Sequence, residues 1–244
     1  AIPHAADVDP VGSAGNAAPS LVLTHRDDRG PGAEAQPFRL EPARHGARRG
    51  GRAADEGRSA FAKPGGTKLG ERIVDPRVTL YSDPSDPLIL TSPFDGEGLP
   101  LSRQTWVKDG VLNQLAYNRF WASKQGKTPT GGTGGLRMAD GPDTLESMIA
   151  STTRGVLVTR LWYLRALDAR TLMYTGLTRD GTFLIENGKI LRSIKNFRFN
   201  DSPLFMLNNL EGIGKSVRTA GGDGVAMPPI KVRDFNFSSL SDAV

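Results

Sequence analysis

Residues able to carry chemistry are few in this chain, and they are unevenly placed. Cysteine is absent, and the three histidines, His4, His25 and His45, all fall in the first fifth of its 244 residues. A hydroxyl or thiol nucleophile needs a neighbouring base, most often histidine, and none follows His45. A zinc site needs three or four His, Cys or carboxylate ligands. From 46 onward only carboxylates remain, and none form a ligand-spaced cluster. Asp95 and Glu97, in Phe94-Asp95-Gly96-Glu97-Gly98, are a conceivable metal or acid pair, but with no His or Cys nearby a turn is the better reading. Lys63-Pro64-Gly65-Gly66-Thr67-Lys68 departs from the phosphate-binding pattern, and no dinucleotide fingerprint follows a strand. The glycine-dense run from Thr128 to Gly135 permits either close backbone approach to a ligand or a mobile loop.

The elements that would position these residues are read from turn chemistry and periodicity. Thr182 to Phe199 is a β-hairpin, because Asn187-Gly188 tolerates the two positive φ angles of a type I′ turn. That turn sets Glu186 opposite Lys189, Ile185 opposite Ile190 and Leu184 opposite Leu191. Apolar residues on both faces predict covering layers on both sides. Gln104 to Leu115 repeats the design with Asp109-Gly110 as its turn, and two such hairpins suggest one sheet system. Strands are expected over 77–81, 156–164, 171–177 and 230–237. Helices are expected over 117–125, packing Phe120 and Trp121, and after Asp143, which with Glu146 forms a capping box. A third begins at Ser202-Pro203 and stops at Gly212 and Gly214.

Composition bounds the rest. An apolar content of 38% and a charged content of 23% are those of a globular chain. Residues 1–53 are read as a disordered or irregular segment, because Ala, Gly, Pro and Arg fill 28 of the first 50 positions. Only Leu21-Val22-Leu23 hints at a strand there. Such a composition also arises when a GC-rich gene is read out of frame. The ordered domain is placed at 54–244. The whole excess charge of +5 lies after residue 58, and 154–198 holds nine basic residues against three acidic. That stretch could attract an acidic peptide, a nucleic acid or an acidic partner surface. No run approaches the ~20 apolar residues of a membrane span, and the start resembles no signal peptide, so a cytoplasmic protein with no membrane partner is expected. The absence of an initiating Met suggests a processed or cut piece.

The order of several motifs then resembles the C-terminal domain of the TldD/PmbA family. They are Ala54-Asp55-Glu56-Gly57-Arg58-Ser59, Thr91 to Pro100, Met148 to Gly155, Thr175 to Gly188, Lys195 to Pro203 and Val232 to Phe237. The resemblance covers about 52 to 244, roughly half of a family member. It implies a zinc metallopeptidase context, with unfolded or modified peptides as substrates. It also implies a metal-bearing subunit paired with a sister of the TldE/PmbA kind that lacks the metal site. Metal-bearing members carry His-Glu-x-x-x-His just before the place matched by Ala54-Asp55-Glu56, two His binding zinc and the Glu activating water. Here His45 is followed by Gly46, and no second His follows. The family's later Cys ligand is absent from Gly221-Gly222-Asp223-Gly224-Val225 as well.

The expectation is therefore an α+β domain, rich in antiparallel strands with a few short helices. It serves as a non-catalytic, TldE/PmbA-like part of a peptide-processing assembly. No metal is expected on this chain and no catalytic residue is assigned, zinc being held by a metal-bearing TldD-like partner; a homodimer is the other arrangement. Thr130, Gly131 and Arg137 are the expected substrate contacts, since the family's glycine-dense loop lies near the cleft. Two further readings stand beside this one: a non-functional truncated remnant, and a basic nucleic-acid-binding module, for which no known motif is present.

Overall fold

The computed structural model describes residues 20–23, 50–89, 91–132, 134–218 and 224–241. It is an α+β structure made largely of antiparallel strands, with short helices between them. One six-stranded sheet runs β12-β11-β8-β1-β17-β14, built from Lys189–Ser193, Thr182–Glu186, Arg154–Val158, Ser20–Leu23, Ile230–Val232 and Leu210–Ile213. A second runs β15-β16-β7-β4-β5-β6, from Val217–Arg218, Val225–Met227, Leu136–Met138, Leu80–Ser82, Gln104–Lys108 and Val111–Leu112. A four-stranded sheet orders β18-β13-β10-β9, from Phe237–Ser241, Asn196–Asp201, Met173–Thr178 and Leu161–Asp168. Ala62–Lys63 (β2) and Gly66–Thr67 (β3) form a small ribbon. The helices are α1 (50–55), α2 (Arg119–Lys124), α3 (Leu145–Ala150) and α4 (Pro203–Asn208). No helix among the described residues is long and apolar enough to cross a membrane.

The main core gathers buried side chains from all three larger sheets and from α4, including Trp106, Met138, Val158, Phe199, Leu207 and Val232. Strand β8 shows why the first sheet needs cover on both faces. Val156 and Val158 point into that core, while Leu157 joins Val22, Met148 and Ile185 on the other side. Strand geometry alternates side chains across the sheet, and α3 supplies the second cover through Met148.

Both Asx-Gly turns form as their chemistry dictates. Asn187 and Gly188 take φ of 49° and 76°, Asp109 and Gly110 take 50° and 78°, and Glu186–Lys189, Ile185–Ile190 and Lys108–Val111 pair as turn geometry requires. The third pair of the first hairpin is corrected. Leu184 faces Arg192, because a bulge at Leu191 shifts the register. Cover on both sides fails for β12, an edge strand exposed along its length, with Ile190 and Leu191 about half exposed. The two hairpins also lie in different sheets, since a turn specifies only its own two strands.

Other boundaries move for local reasons. The strand expected at 77–81 starts at Leu80, and 156–164 divides into β8 and β9, which belong to different sheets. The stretch 230–237 divides likewise into β17 and β18. Helix α3 is capped by Thr144 in a reciprocal box with Ser147, not by Asp143 with Glu146. Asp143 instead accepts the amide of Ile213 at 2.9 Å, so a distant strand takes the local cap. Phe120 is exposed on α2, while Ala122 is buried and Trp121 partly so. Helix α4 begins as expected, with Ser202 as N-cap and Pro203 in its first turn, but ends at Asn208; Gly212 belongs to β14. Within 1–53, Leu21-Val22-Leu23 forms part of β1 and 50–55 is helical; most of the remaining segment lies outside the described residues.

Candidate functional site

The place to look is where α1 meets the glycine-dense loop, because charged and aromatic side chains converge there. Gly51 lets α1 lie against the chain at 116–117: its amide donates to the Ala116 carbonyl at 3.1 Å, and a Cβ there would meet that oxygen at 2.6 Å. At the end of α1 the Asp55 carboxylate accepts from Trp121 Nε1 at 2.8 Å, Tyr117 OH at 3.2 Å and Lys127 Nζ at 3.3 Å. Lys127 also donates to Tyr117 OH at 2.6 Å and sits over that ring at 4.3 Å. Burial pushes the Tyr117 phenol up, only partly opposed by Lys127. Burial pulls the Lys127 ammonium down, but Tyr117 and Asp55 outweigh it and hold it above its usual value. The cluster therefore keeps a protonated phenol and a protonated ammonium around one carboxylate.

The glycine loop is fastened to this cluster and to the core beneath it. Thr130 exchanges bonds with Tyr117: its hydroxyl accepts the Tyr117 amide at 2.9 Å and its amide donates to the Tyr117 carbonyl at 3.0 Å. The Gly132 amide donates to Asp95 at 3.2 Å. Gly131 has φ of 74°, and a Cβ there would meet Leu101 at 2.9 Å. At the far end the Gly135 carbonyl accepts Ser82 Oγ at 2.6 Å, and Ser82 accepts Trp106 Nε1 at 2.7 Å. These contacts anchor the run to the protein itself.

The other residues singled out by type find structural partners. Burial alone would raise Asp95, but the amides of Leu99, Glu97 and Gly132 hold its carboxyl below the usual range. Glu97 accepts the Arg119 amide at 3.0 Å. These two carboxylates thus close a turn and tie it to α2. Arg137 reaches Asp86 at 2.9 Å and Asp140 at 3.1 Å, and its Nε is enclosed without an acceptor among the described residues. Its donors point at the protein, whereas Thr130 and Gly131 sit in the loop itself. In the basic stretch, Arg160 pairs with Asp180 and lies 4.3 Å from the Trp162 ring, with Arg179 at 5.3 Å from the same ring. Arg154 stands opposite Glu186. His45 and the region 219–223 lie outside the described residues.

The Asp55–Tyr117–Trp121–Lys127 cluster was not legible as a unit. Asp55 is more than sixty positions from its partners, and the only local signal is the spacing of two aromatics and a lysine around α2. Among the described residues no group of three or more His, Cys, Asp or Glu is placed to hold a metal. In the sequence, Gly46 follows His45, and no histidine comes after it.

Comparison with known proteins agrees with this architecture. Residues 46–239 match the model of the PmbA/TldA metallopeptidase C-terminal domain. A stretch of 173 residues is 28% identical to the metalloprotease PmbA of Escherichia coli O157:H7, covering 67% of this chain and 37% of that protein. The fold aligns with a Bacteroides thetaiotaomicron protein described as a candidate modulator of DNA gyrase, with a TM-score of 0.71 and 25% identity, over 91% of this chain and 47% of that one. It aligns with TldE of Thermococcus kodakarensis with a TM-score of 0.68 and 20% identity, over 89% and 49%. The chain thus spans about half or less of the length of these relatives. A family model that matches most of the chain, through the same strands and loops that build the site, makes this protein a member of the PmbA/TldD family by its C-terminal domain.

Proposed function

We propose that this chain is a metal-free, TldE/PmbA-like component of a peptide-processing metallopeptidase assembly. In this reading it pairs in the cytoplasm with a metal-bearing TldD-like subunit and forms one wall of the path taken by the peptide. The observation that carries it is the combination of family membership with a missing donor set. The stretch that resemblance aligns with the zinc helix offers one histidine, and no cysteine exists anywhere. In this reading Thr130 and Gly131 touch the peptide backbone from the anchored loop, and Arg137 holds the base of that loop through Asp86 and Asp140. Zinc chemistry, where it occurs, belongs to the partner.

The test is to express the chain with and without a TldD-like subunit and to follow cleavage of an unfolded peptide with added zinc. The chain alone is expected to be inactive and to bind no stoichiometric zinc, and the mixture is expected to co-elute. Zinc-dependent cleavage by the chain alone, abolished by a chelator, would sink the proposal. A remnant reading is favoured by one observation, the exposed apolar side chains of the edge strands β12 and β9, including Leu191 and Leu167. If those surfaces drive aggregation even when the partner is present, the remnant reading replaces this one.

A further inference from the structure

Cavities among the described residues include two that lie outside the site just described. One measures about 50 Å³ and is walled by apolar side chains such as Phe61, Trp106, Leu172 and Leu204. Gln114 aside, it offers a ligand nothing polar to recognise. The other measures about 220 Å³ and opens between α3 and the β14–β17 edge of the first sheet. Its walls carry Asp143, Glu211 and Lys231 together with the hydroxyls of Ser147 and Ser151.

Three features show that this space is constructed. Lys231 extends from β17 toward α3, with its side chain only 9% exposed. Its Nζ lies 3.1 Å from the Ser151 carbonyl, 3.3 Å from Ser151 Oγ and 3.4 Å from Glu211 Oε2. The last is long for an ammonium beside a carboxylate, which prefers about 2.8 Å. Glu211 is the extra residue of a bulge. Leu210 faces Val232 and Gly212 faces Lys231, so two residues of β14 share the place opposite the lysine. A bulge re-aims the side chain it carries, and here Glu211 meets Lys231 on the cavity side. Gly212 needs no unusual backbone angle, since its φ is not positive. What it supplies is room, because a Cβ there would press on Met148 Cγ at 3.0 Å and Asp143 Oδ2 at 3.2 Å.

We infer that this cavity binds a free amino acid or a dipeptide as a zwitterion. The ligand's ammonium lies between Asp143 and Glu211, and its carboxylate takes Lys231; the hydroxyls of Ser147 and Ser151 already donate to the Thr144 and Met148 carbonyls. Charge selects this class. Two carboxylates beside one ammonium disfavour a simple anion, and a simple amine would leave the lysine with only a distant carboxylate. A zwitterion answers both signs. The carboxylate of Asp143 is already fixed by the Ile213 amide, so the cation end meets a preorganised group. The volume suits a ligand of that size and is below the ~300–1,000 Å³ of drug-sized sites. The inference is independent of the proposed partner and of zinc.

Calorimetric titration of the full chain with glycylglycine, its N-acetyl form and its C-terminal amide tests the inference directly. The zwitterion is expected to bind, and each capped form to bind at least about tenfold more weakly. Gly212→Val, whose added carbons fill the space and press on Met148 and on Asp143 Oδ2, is expected to abolish binding. Glu211→Gln, which removes the charge facing the buried Lys231, is expected to lower the Tm somewhat but to keep a cooperative melt, and to weaken binding at least about tenfold at a temperature where the chain is fully folded, which separates ligand loss from misfolding. The inference fails if the capped forms match the free dipeptide, or if E211Q binds like the parent. It also fails if neither glycylglycine nor any standard amino acid binds below about 10 mM, a level at which recognition by two charges would already register.

Discussion

At the scale of single residues, charge pairs decide more than catalytic types do. Arg137 joins Asp86, whose side chain is 8% exposed, to the more open Asp140. Arg137→Met is expected to cost about 2–3 kcal/mol, toward the lower side of buried pairs because Asp140 can rehydrate. Urea denaturation measures that cost, and a loss within error of zero would show that Asp86 does not depend on its partner. The same carboxylate sets an acid limit. Burial alone would raise Asp86, but the Leu88 amide, Arg137 and Tyr81 hold it below its ordinary value of 3.8. Asp83 and Asp140 are lowered too, by Ser85 in the first case and, against burial, by Ser216 and Arg137 in the second. A depressed carboxylate stabilises the fold above its unfolded value, and this is lost as pH falls through the folded value. Thermal melts are therefore expected to be flat above the unfolded value, to fall as pH drops from there toward the folded value, and to level off below it. Asp201 has the opposite sign, because burial raises it despite the amides of Asn236 and Ser202. Its stabilising share is present at low pH and is lost as pH rises past its raised value, which blunts the acid loss. A melt that improves steadily on acidification would contradict the balance assigned to these groups.

At the scale of elements, turns act beyond their own strands. Gly188 closes the β11–β12 hairpin with φ of 76°, and its amide donates to the Thr152 carbonyl at 2.9 Å. A Cβ there would strike the Ala150 carbonyl at 2.6 Å, so the turn is also wedged against the end of α3. Gly57 has a similar φ of 71° but nothing within 4 Å. Gly57→Ala is expected to cost about 1 kcal/mol of left-handed strain, and Gly188→Ala at least about twice that. Equal losses in chemical denaturation would mean that α3 yields freely to the turn. Strand β9 shows the same economy of small residues. Tyr163 takes φ of 55° where the β9–β10 register shifts, opposite Gly176. A Cβ at Gly176 would press on Phe199 at 2.7 Å and Leu164 at 2.8 Å.

At the scale of the whole molecule, β1 is the element whose removal matters most. It lies between β8, parallel to it, and β17, antiparallel, so it joins the two halves of the first sheet. Val22 is fully buried on the α3 side. A chain beginning at residue 50 would leave two unpaired inner edges, which are templates for aggregation. It is expected to lose its cooperative melt and to elute as aggregates in size-exclusion chromatography. If that shorter chain melts like the full one, the domain does begin near residue 54 and β1 is dispensable.

Much of this was written locally. Asn187-Gly188 and Asp109-Gly110 determined two hairpins because a two-residue turn allows few backbone conformations. Ser202-Pro203 determined the start of α4 for the same kind of reason, and the absence of cysteine and of late histidine bounded the chemistry. Pattern along the chain could not say which strands share a sheet, because alternation looks the same whichever neighbour covers the face. For that reason the two hairpins part company, 156–164 divides between sheets, and Ser20–Leu23 takes a central place within an otherwise unpromising segment. The Asp55 cluster and the Lys231 cavity lay equally out of reach. Each joins residues separated by tens of positions, and only packing brings their charges close enough to act together.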